Sequence, residues 1–430
     1  MKIRSARTQY ACALALALWA ATTSGAGSPL AQAESITLAR AIELAAQHSP
    51  SVAALTSEAE ALAARNEAEA LPPGFHIESE FENFAGSGDL SGTDLLESTV
   101  RLSRVVELGD KQVLRRGLGS AELDRLGADQ QLQRAELSAE VARRFIHVLA
   151  DQVMLVTARR ATELAQTARD VARQRVNAGA SSPAALGRAE IALARSQIAQ
   201  EHAEHELASS RVKLAILWGD TAASFSIAAG DLFDLPPLQS LDAYRARLDA
   251  SPELARFASE ARVQDTRIQL AQAQRSPDVS IAAGIRRLEA FDDTALVASF
   301  AVPLGTRRRA ELQERAARAD RNRVDMNRET RRLELHATLF DLYQEILHAR
   351  TEATSLNAQV RPQAETMLAT TNEGYRAGRF SLLELADAQL QLIEVEREAA
   401  RAAAQFHTLL VEIQRLVGVP IQTLAVRGAP

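Results

Sequence analysis

Cysteine is almost absent: Cys12 is the single one in 430 residues, which excludes an internal disulfide and any thiolate metal site. Neither sign of charge dominates. Forty-nine basic and 55 acidic residues leave a formal −6, so nothing points to nucleic acid as a partner. Beyond residue 33 no apolar run approaches the roughly 20 residues that a membrane-crossing helix needs. Any passage through a bilayer must therefore use strands. Catalytic motifs are missing as well. There is no His-Glu-x-x-His and no nucleophile elbow, and "GLG" at 117–119 sits in a helical pattern without a βαβ unit. The residues give no enzyme and no cofactor.

What is present begins with an export signal. Lys2, Arg4 and Arg7 precede the short apolar stretch "ACALALALWAATTSG", and "AQA" at 31–33 is a small-x-small cleavage site. Residues 1–33 are therefore expected to be removed, leaving 46 basic against 55 acidic residues, a formal −9. Cys12 goes with them. It is no lipidation site, because "QYA" before it lacks the usual Leu three positions upstream and it stands too early in the apolar run.

The remainder reads twice, as 34–240 and 241–430. "QHSPSVAALTSEAEALAARNEAEA" from Gln47 is echoed by "DASPELARFASEARVQDTRIQLAQA" from Asp249. In each half a proline-marked break, a pair of short strands and then Leu-Gly follow, "LGDK" at 108–111 and "LGTR" at 304–307. A single repeat of this length indicates a duplicated domain rather than a solenoid. Each half then continues as a helical hairpin, over about 110–217 and 307–417. Between 112 and 177 there is no proline, and strong helix formers predominate. That helix would be roughly 100 Å long. The second copy runs from 307 to 376, with a kink expected at Pro362. Gly179 and Gly378 end the two long helices as C-cap residues. Hairpins this elongated cannot enclose their own core, so their apolar stripes must pack on one another or on another subunit.

Four segments alternate with period two: 75–84, 96–108, 279–287 and 295–304. In "GFHIESEFENF", Phe75, Ile77 and Phe81 share one side, and Glu78, Glu80 and Glu82 the other. Leu96, Val100, Leu102 and Val106 oppose Glu97, Thr99, Arg101 and Ser103. A half-buried soluble sheet makes the same pattern. Export, polar loops within each strand pair and the length of the neighbouring helices favour lipid-facing strands. Four strands cannot close a barrel, for which about eight is the smallest useful number, and open edges are forbidden in lipid. Several chains must then pool their strands around a wet lumen lined by Glu78, Glu80, Glu82 and Arg101.

The duplicated layout and the paired "AGxxSxxxL…A" hairpin tips resemble the outer-membrane factor (TolC-like) family. "HIESEFENFAGSG" followed by "VVELGDKQ" is similar to its heavy-metal, CzcC-like branch. The resemblance implies a mainly α fold with membrane β. Three chains would each give four strands to one transmembrane barrel and their hairpins to a periplasmic α-helical tunnel. It also implies a passive duct in the outer membrane of a Gram-negative bacterium. The partners implied are a periplasmic adaptor, an inner-membrane resistance-nodulation-division pump and outer-membrane lipid. At the periplasmic gate it places acidic lumen residues at Glu384 and Asp387, with Tyr375 and Gly378 at the turn. Three copies would ring a constriction with these carboxylates, favouring cations and raising some of their pKa values. The first tip departs from the family pattern: Ala185 stands where relatives can have an acid, and Arg188 matches Asp387.

Two further clusters draw attention. "EHAEHE" at 201–206 sets His202 and His205 among glutamates, a donor set suited to Zn²⁺, although such a run on a long helix is usually solvated. "RRR" at 307–309, at a helix start next to the barrel, suggests lipid phosphates. The function expected is export of divalent heavy-metal cations across the outer membrane. The alternatives are a duct of the same type for drugs, small molecules or a secreted protein, and a periplasmic coiled-coil adaptor or scaffold.

Overall fold

The computed structural model describes residues 35–421. The leader expected at 1–33, with Cys12, lies outside them. In chain order, β1 (Ser35–Thr37) leads into α1 (Leu38–His48) and α2 (Pro50–Glu69). Next come the hairpin β2 (Phe75–Glu82) and β3 (Glu97–Val106), then α3 (Lys111–Asn177) and α4 (Pro183–Ala215). A second pass follows β4 (Ile227–Ala229) and α5 (Leu241–Leu248): α6 (Pro252–Ala273), β5 (Val279–Leu288), β6 (Asp293–Ala301), α7 (Thr306–Ser355), α8 (Arg361–Arg376) and α9 (Leu382–Leu416). Proline opens α2, α4 and α6 directly after a serine, where its missing N–H costs nothing and its fixed φ suits the first turn.

Helix α3 is unbroken over 67 residues, matching the expected span. Its partner in the second half differs from the single kinked helix expected at 307–376. Residues Leu356–Val360 form a π turn between α7 and α8, and the Arg361 N–H reaches the Leu356 carbonyl five residues back. The cause is Pro362. It has no N–H to give and its ring crowds the preceding turn, so the backbone widens just upstream.

Side chains from both halves share the core. Phe145, Ile146 and Leu149 of α3 pack with Leu214 and Trp218, and with Ala400 and Ala403 of α9. Ala139, Ala142, Ala400 and Ala403 are fully buried, and such small residues let α3 and α9 approach closely. Phe406 and Ile413 of α9 meet Leu335, Leu339 and Ile346 of α7. Upper α3 packs on α6, and lower α3 on α4 and α9. No described helix is long and apolar enough to cross a membrane.

His407 adjoins Phe406 edge-on and is 2% exposed, and its Nε2–H donates to the Leu232 carbonyl at 3.0 Å. Burial pushes the imidazole below its usual value, against the opposing pull of the Leu232 carbonyl, Asp234 and Asp231. The unfolded chain takes up this proton near about pH 6.5 while the folded chain resists it. Stability is therefore full above that pH and falls as pH drops toward the depressed folded value. The thermal midpoint is expected to be lower at about pH 5.5 than at about pH 7.5. His407→Gln should shrink that difference.

The four long strands form one antiparallel sheet in the order β2-β3-β5-β6. Pairing runs Glu78↔Arg101↔Gly284↔Val297 and Ile77↔Leu102↔Ala283↔Ala298. That register puts the expected apolar residues of all four strands on one face. Ile77 is 77% exposed, Leu296 88% and Phe300 70%. No other part of the described chain covers them. Among the described residues β2 and β6 are also open at their outer edges. A separate pair, β1 with β4, is parallel and only three residues long. The side-chain amide of Gln152 bridges to β4, accepting from Ala228 N at 2.8 Å and donating to its carbonyl at 3.1 Å.

Candidate functional site

Three places along the rod carry the charged chemistry: the polar face of the sheet, the junction below it, and the two hairpin tips. On the polar face, Glu78, Glu80 and Glu82 of β2 stand beside Arg101 of β3, as the alternation predicts. The expected acidic lining is more evenly balanced than the β2 sequence suggests. Arg101 bonds Glu80 and lies 3.5 Å from Glu78. Arg286 of β5, which the alternation sets on the polar side of its strand, reaches Glu97 at 2.8 Å, Glu82 at 3.4 Å and the Thr99 hydroxyl at 2.9 Å. Gly284 lies opposite Arg101, and a Cβ there would strike the Val100 carbonyl and lie 2.7 Å from the Arg101 Cα.

At the junction the chain turns from β3 into α3 through Gly109 (φ +82°) and Asp110 (φ +59°), and from β6 into α7 through Gly305 (φ +81°). Lys111 is buried here. Its Nζ donates to Asp278 Oδ1 at 2.6 Å and to the Ser276 carbonyl at 2.8 Å, tying the start of α3 to the start of β5. Arg115 clasps Glu107 through two bonds of 2.6 and 2.5 Å. These side chains line a cavity of about 570 Å³ together with Arg309. Arg307 and Arg308, the first two of "RRR", each lie 3.7 Å from Glu311.

Both tips close with the same motif. Ala180 N–H bonds the Arg175 carbonyl and Gly179 N–H the Val176 carbonyl; Arg379 to Gly374 and Gly378 to Tyr375 repeat the pattern. This is the six-to-one and five-to-two pairing of a Schellman cap, which needs the left-handed backbone of Gly179 (φ +71°) and Gly378 (φ +76°). Tyr375 does not point into solvent, being 3% exposed. Burial raises its phenol above the usual value, with Arg175 partly opposing. Arg175, at the end of α3, crosses to the other tip: it donates to the Tyr375 carbonyl at 2.7 Å and stacks over the Tyr375 ring at 4.9 Å. It stands three residues before the Ala178-Gly179 of the first tip, but only the tertiary arrangement reveals its partner.

A charge-assisted hydrogen bond of this kind contributes about 1.5–3 kcal/mol. Arg175→Ala is therefore expected to speed amide exchange across residues 374–381 about tenfold or more, measured by hydrogen–deuterium exchange.

Glu384 has a local task. It completes a capping box at the start of α9, where its carboxylate accepts from Ser381 N at 2.6 Å and from the Ser381 hydroxyl at 2.8 Å. Within one chain these bonds hold its pKa below the usual carboxylate range. Asp387 is exposed one turn further along, while Ala185 is buried. Arg188 lines a groove of about 500 Å³ between α3, α4 and α9, with Arg195, Arg397 and the apolar Ile191 and Leu390.

His202 and His205 lie one turn apart on α4. Among the described residues no three His, Cys, Asp or Glu side chains converge as a metal site. His205 is instead 3.8 Å from Glu201, and Glu204 is engaged by Gln200 at 3.2 Å and Arg159 at 3.4 Å. The run lies on the exposed side of α4, where no second helix among the described residues supplies a third ligand.

No protein-family model matches the chain. The cobalt-zinc-cadmium resistance protein CzcC of Cupriavidus metallidurans is 26% identical over 325 residues, covering 75% of this chain and 77% of CzcC. Among solved structures, a membrane protein from Pseudomonas aeruginosa aligns over 89% of this chain and 90% of its own, with 17% identity and a TM-score of 0.72. The outer-membrane channel OprN aligns over the same shares, with 16% identity and a TM-score of 0.71. At such identities these structures speak for the fold. The TolC-like architecture that the tip and junction motifs imply is the architecture found, with two long hairpins and four sheet-forming strands per chain.

Proposed function

We propose that this chain is the passive outer-membrane duct of a tripartite resistance-nodulation-division efflux system, releasing divalent heavy-metal cations. One observation carries the reading: a four-stranded sheet with an uncovered apolar face, a charged opposite face and two open edges, mounted on helices too long to cap it. Such a sheet satisfies its backbone in lipid only when copies join edge to edge into a closed barrel. Three chains would do so, with the tunnel of hairpins below in the periplasm. The choice of metal as cargo draws on the likeness to CzcC.

In this arrangement a periplasmic adaptor and an inner-membrane pump supply the energy, and no chemical step occurs in the duct. The tips with Gly179, Gly378 and Tyr375 form the periplasmic constriction. Glu384 and Asp387 from each copy bias it toward cations. The test is growth of a strain lacking this gene on cobalt, zinc or cadmium beside a panel of antibiotics. Lost metal tolerance with unchanged antibiotic susceptibility is the expected result. The reverse pattern would move the cargo to drugs or other small molecules, and recovery of the protein wholly in the soluble periplasm would favour a scaffold.

A further inference from the structure

The polar face of the sheet presents a difficulty for a metal duct. Carboxylate oxygens are good ligands for divalent cations, and two carboxylates sharing one wet pocket make a ready chelate. Glu78 with Glu80, and Glu82 with Glu97, are two such couples on the same face. Conduction requires that an ion be held weakly enough to leave. A wall of bare couples would hold it.

Each couple is already occupied by a guanidinium. Arg101 sits between Glu78 and Glu80, directly across from the first and diagonal to the second. Arg286 sits between Glu82 and Glu97, and its third donor is taken by Thr99. Arg101 comes from the strand beside both of its acids, and Arg286 from the strand beside Glu97, reaching across β3 to Glu82, so the sheet register itself fixes the spacing. Gly284, beside Arg101 on the other flank, offers no competing side chain. The side chains remain partly open to solvent, Glu78 by 59% and Arg101 by 24%, so an ion in the lumen would meet them.

We propose that Arg101 and Arg286 are tethered counter-cations that fill the positions where the sheet's paired carboxylates would otherwise capture a divalent metal ion. They determine what the wall ignores. The purpose assigned to them rests on the duct reading, whereas the binding behaviour does not.

The test uses the purified full-length protein in detergent and Mn²⁺, whose free electron paramagnetic resonance signal falls on binding. Mn²⁺ suits oxygen donors and keeps imidazoles such as His202 and His205 out of the comparison. Arg101→Gln/Arg286→Gln is expected to bind Mn²⁺ at least about tenfold more tightly than the wild type, in proportion to the charge repulsion removed. Adding Glu80→Gln and Glu82→Gln should return the affinity to the wild-type level. Arg101→Lys/Arg286→Lys, which keeps the charge, should stay close to wild type.

Equal affinity in wild type and the double glutamine variant would overturn the proposal, as would a gain that survives Glu80→Gln/Glu82→Gln. Heat-modifiable migration on gels checks that each variant assembles. If the double variant does not, Arg101→Gln and Arg286→Gln singly each test one couple by the same criterion. Unchanged metal tolerance in a deletion strain would remove the metal cargo, and with it the purpose assigned to these arginines, while leaving the Mn²⁺ comparison standing.

Discussion

Gly284→Val is expected to break the β3–β5 ladder and, on the proposed duct reading, to remove the protein from the outer membrane. In the sheet β5 passes so close to β3 that any Cβ at 284 meets the Val100 carbonyl oxygen and the Arg101 backbone, with Arg101 Cα at 2.7 Å and Cβ at 2.8 Å. Two of these three obstacles are main chain and cannot turn aside as a flexible side-chain end could. Relief requires the strands to part, which breaks the β3–β5 ladder, the one long strand pairing between the two halves among the described residues. A parted ladder leaves unpaired N–H and C=O groups facing lipid, each costing several kcal/mol. Heat-modifiable oligomers in the outer-membrane fraction should fall by about tenfold or more. Gly127→Ala is the matched control. It lies within α3, where an added Cβ meets nothing within 4 Å, and there alanine should be neutral or stabilise by about 0.4–1 kcal/mol. Equal loss in both variants would refute the close-approach account.

The second large effect is expected at Phe406→Ala. Phe406 is fully buried on α9 in the cluster that holds α7 and α9 together, among Leu335, Leu339, Ile346 and Ile413. Truncation removes the transfer free energy of the ring and leaves a cavity that rigid helices fill poorly. The cost is about 3–5 kcal/mol. Thermal melting followed by the helical circular dichroism signal should show the midpoint drop by several degrees. Phe406→Leu, which keeps most of the volume, should lose less than about 1.5 kcal/mol. A midpoint unchanged by alanine would mean that α7 and α9 are held by contacts elsewhere.

Much of this architecture can be read from the sequence because it follows from periodicity. Alternation placed the four long strands within two or three residues of their ends, and it assigned their apolar side correctly. Composition alone announced α3. The C-cap rule identified Gly179 and Gly378, whose positive φ is the physical reason for glycine at both tips. What escaped lacks a local signal. Three residues in β1 and three in β4 are too few to show a period, and Gln152, which bridges to β4, comes from a helix distant in sequence. The π turn at Leu356–Val360 has no composition of its own, although Pro362 gives its cause. Arg175, Arg286 and Lys111 have long side chains whose partners are set only when distant elements meet. For the same reason "ESEFE" reads as acidic while the folded face is nearly half neutralised. "EHAEHE" has the same limit, since ligand types at helical spacing do not say what a second wall would add.

The unbroken α3 and the interrupted α7–α8 give the two hairpins different mechanics. A single rod of 67 residues, gripped by α6 above and by α4 and α9 below, resists bending anywhere along its length. The other column has a joint at Leu356–Val360, where the widened turn already gives up regular hydrogen bonding. A sideways push at the bottom will therefore swing one leg and leave the other standing. The Arg175 clasp on Tyr375 fastens the leg that swings to the leg that stands.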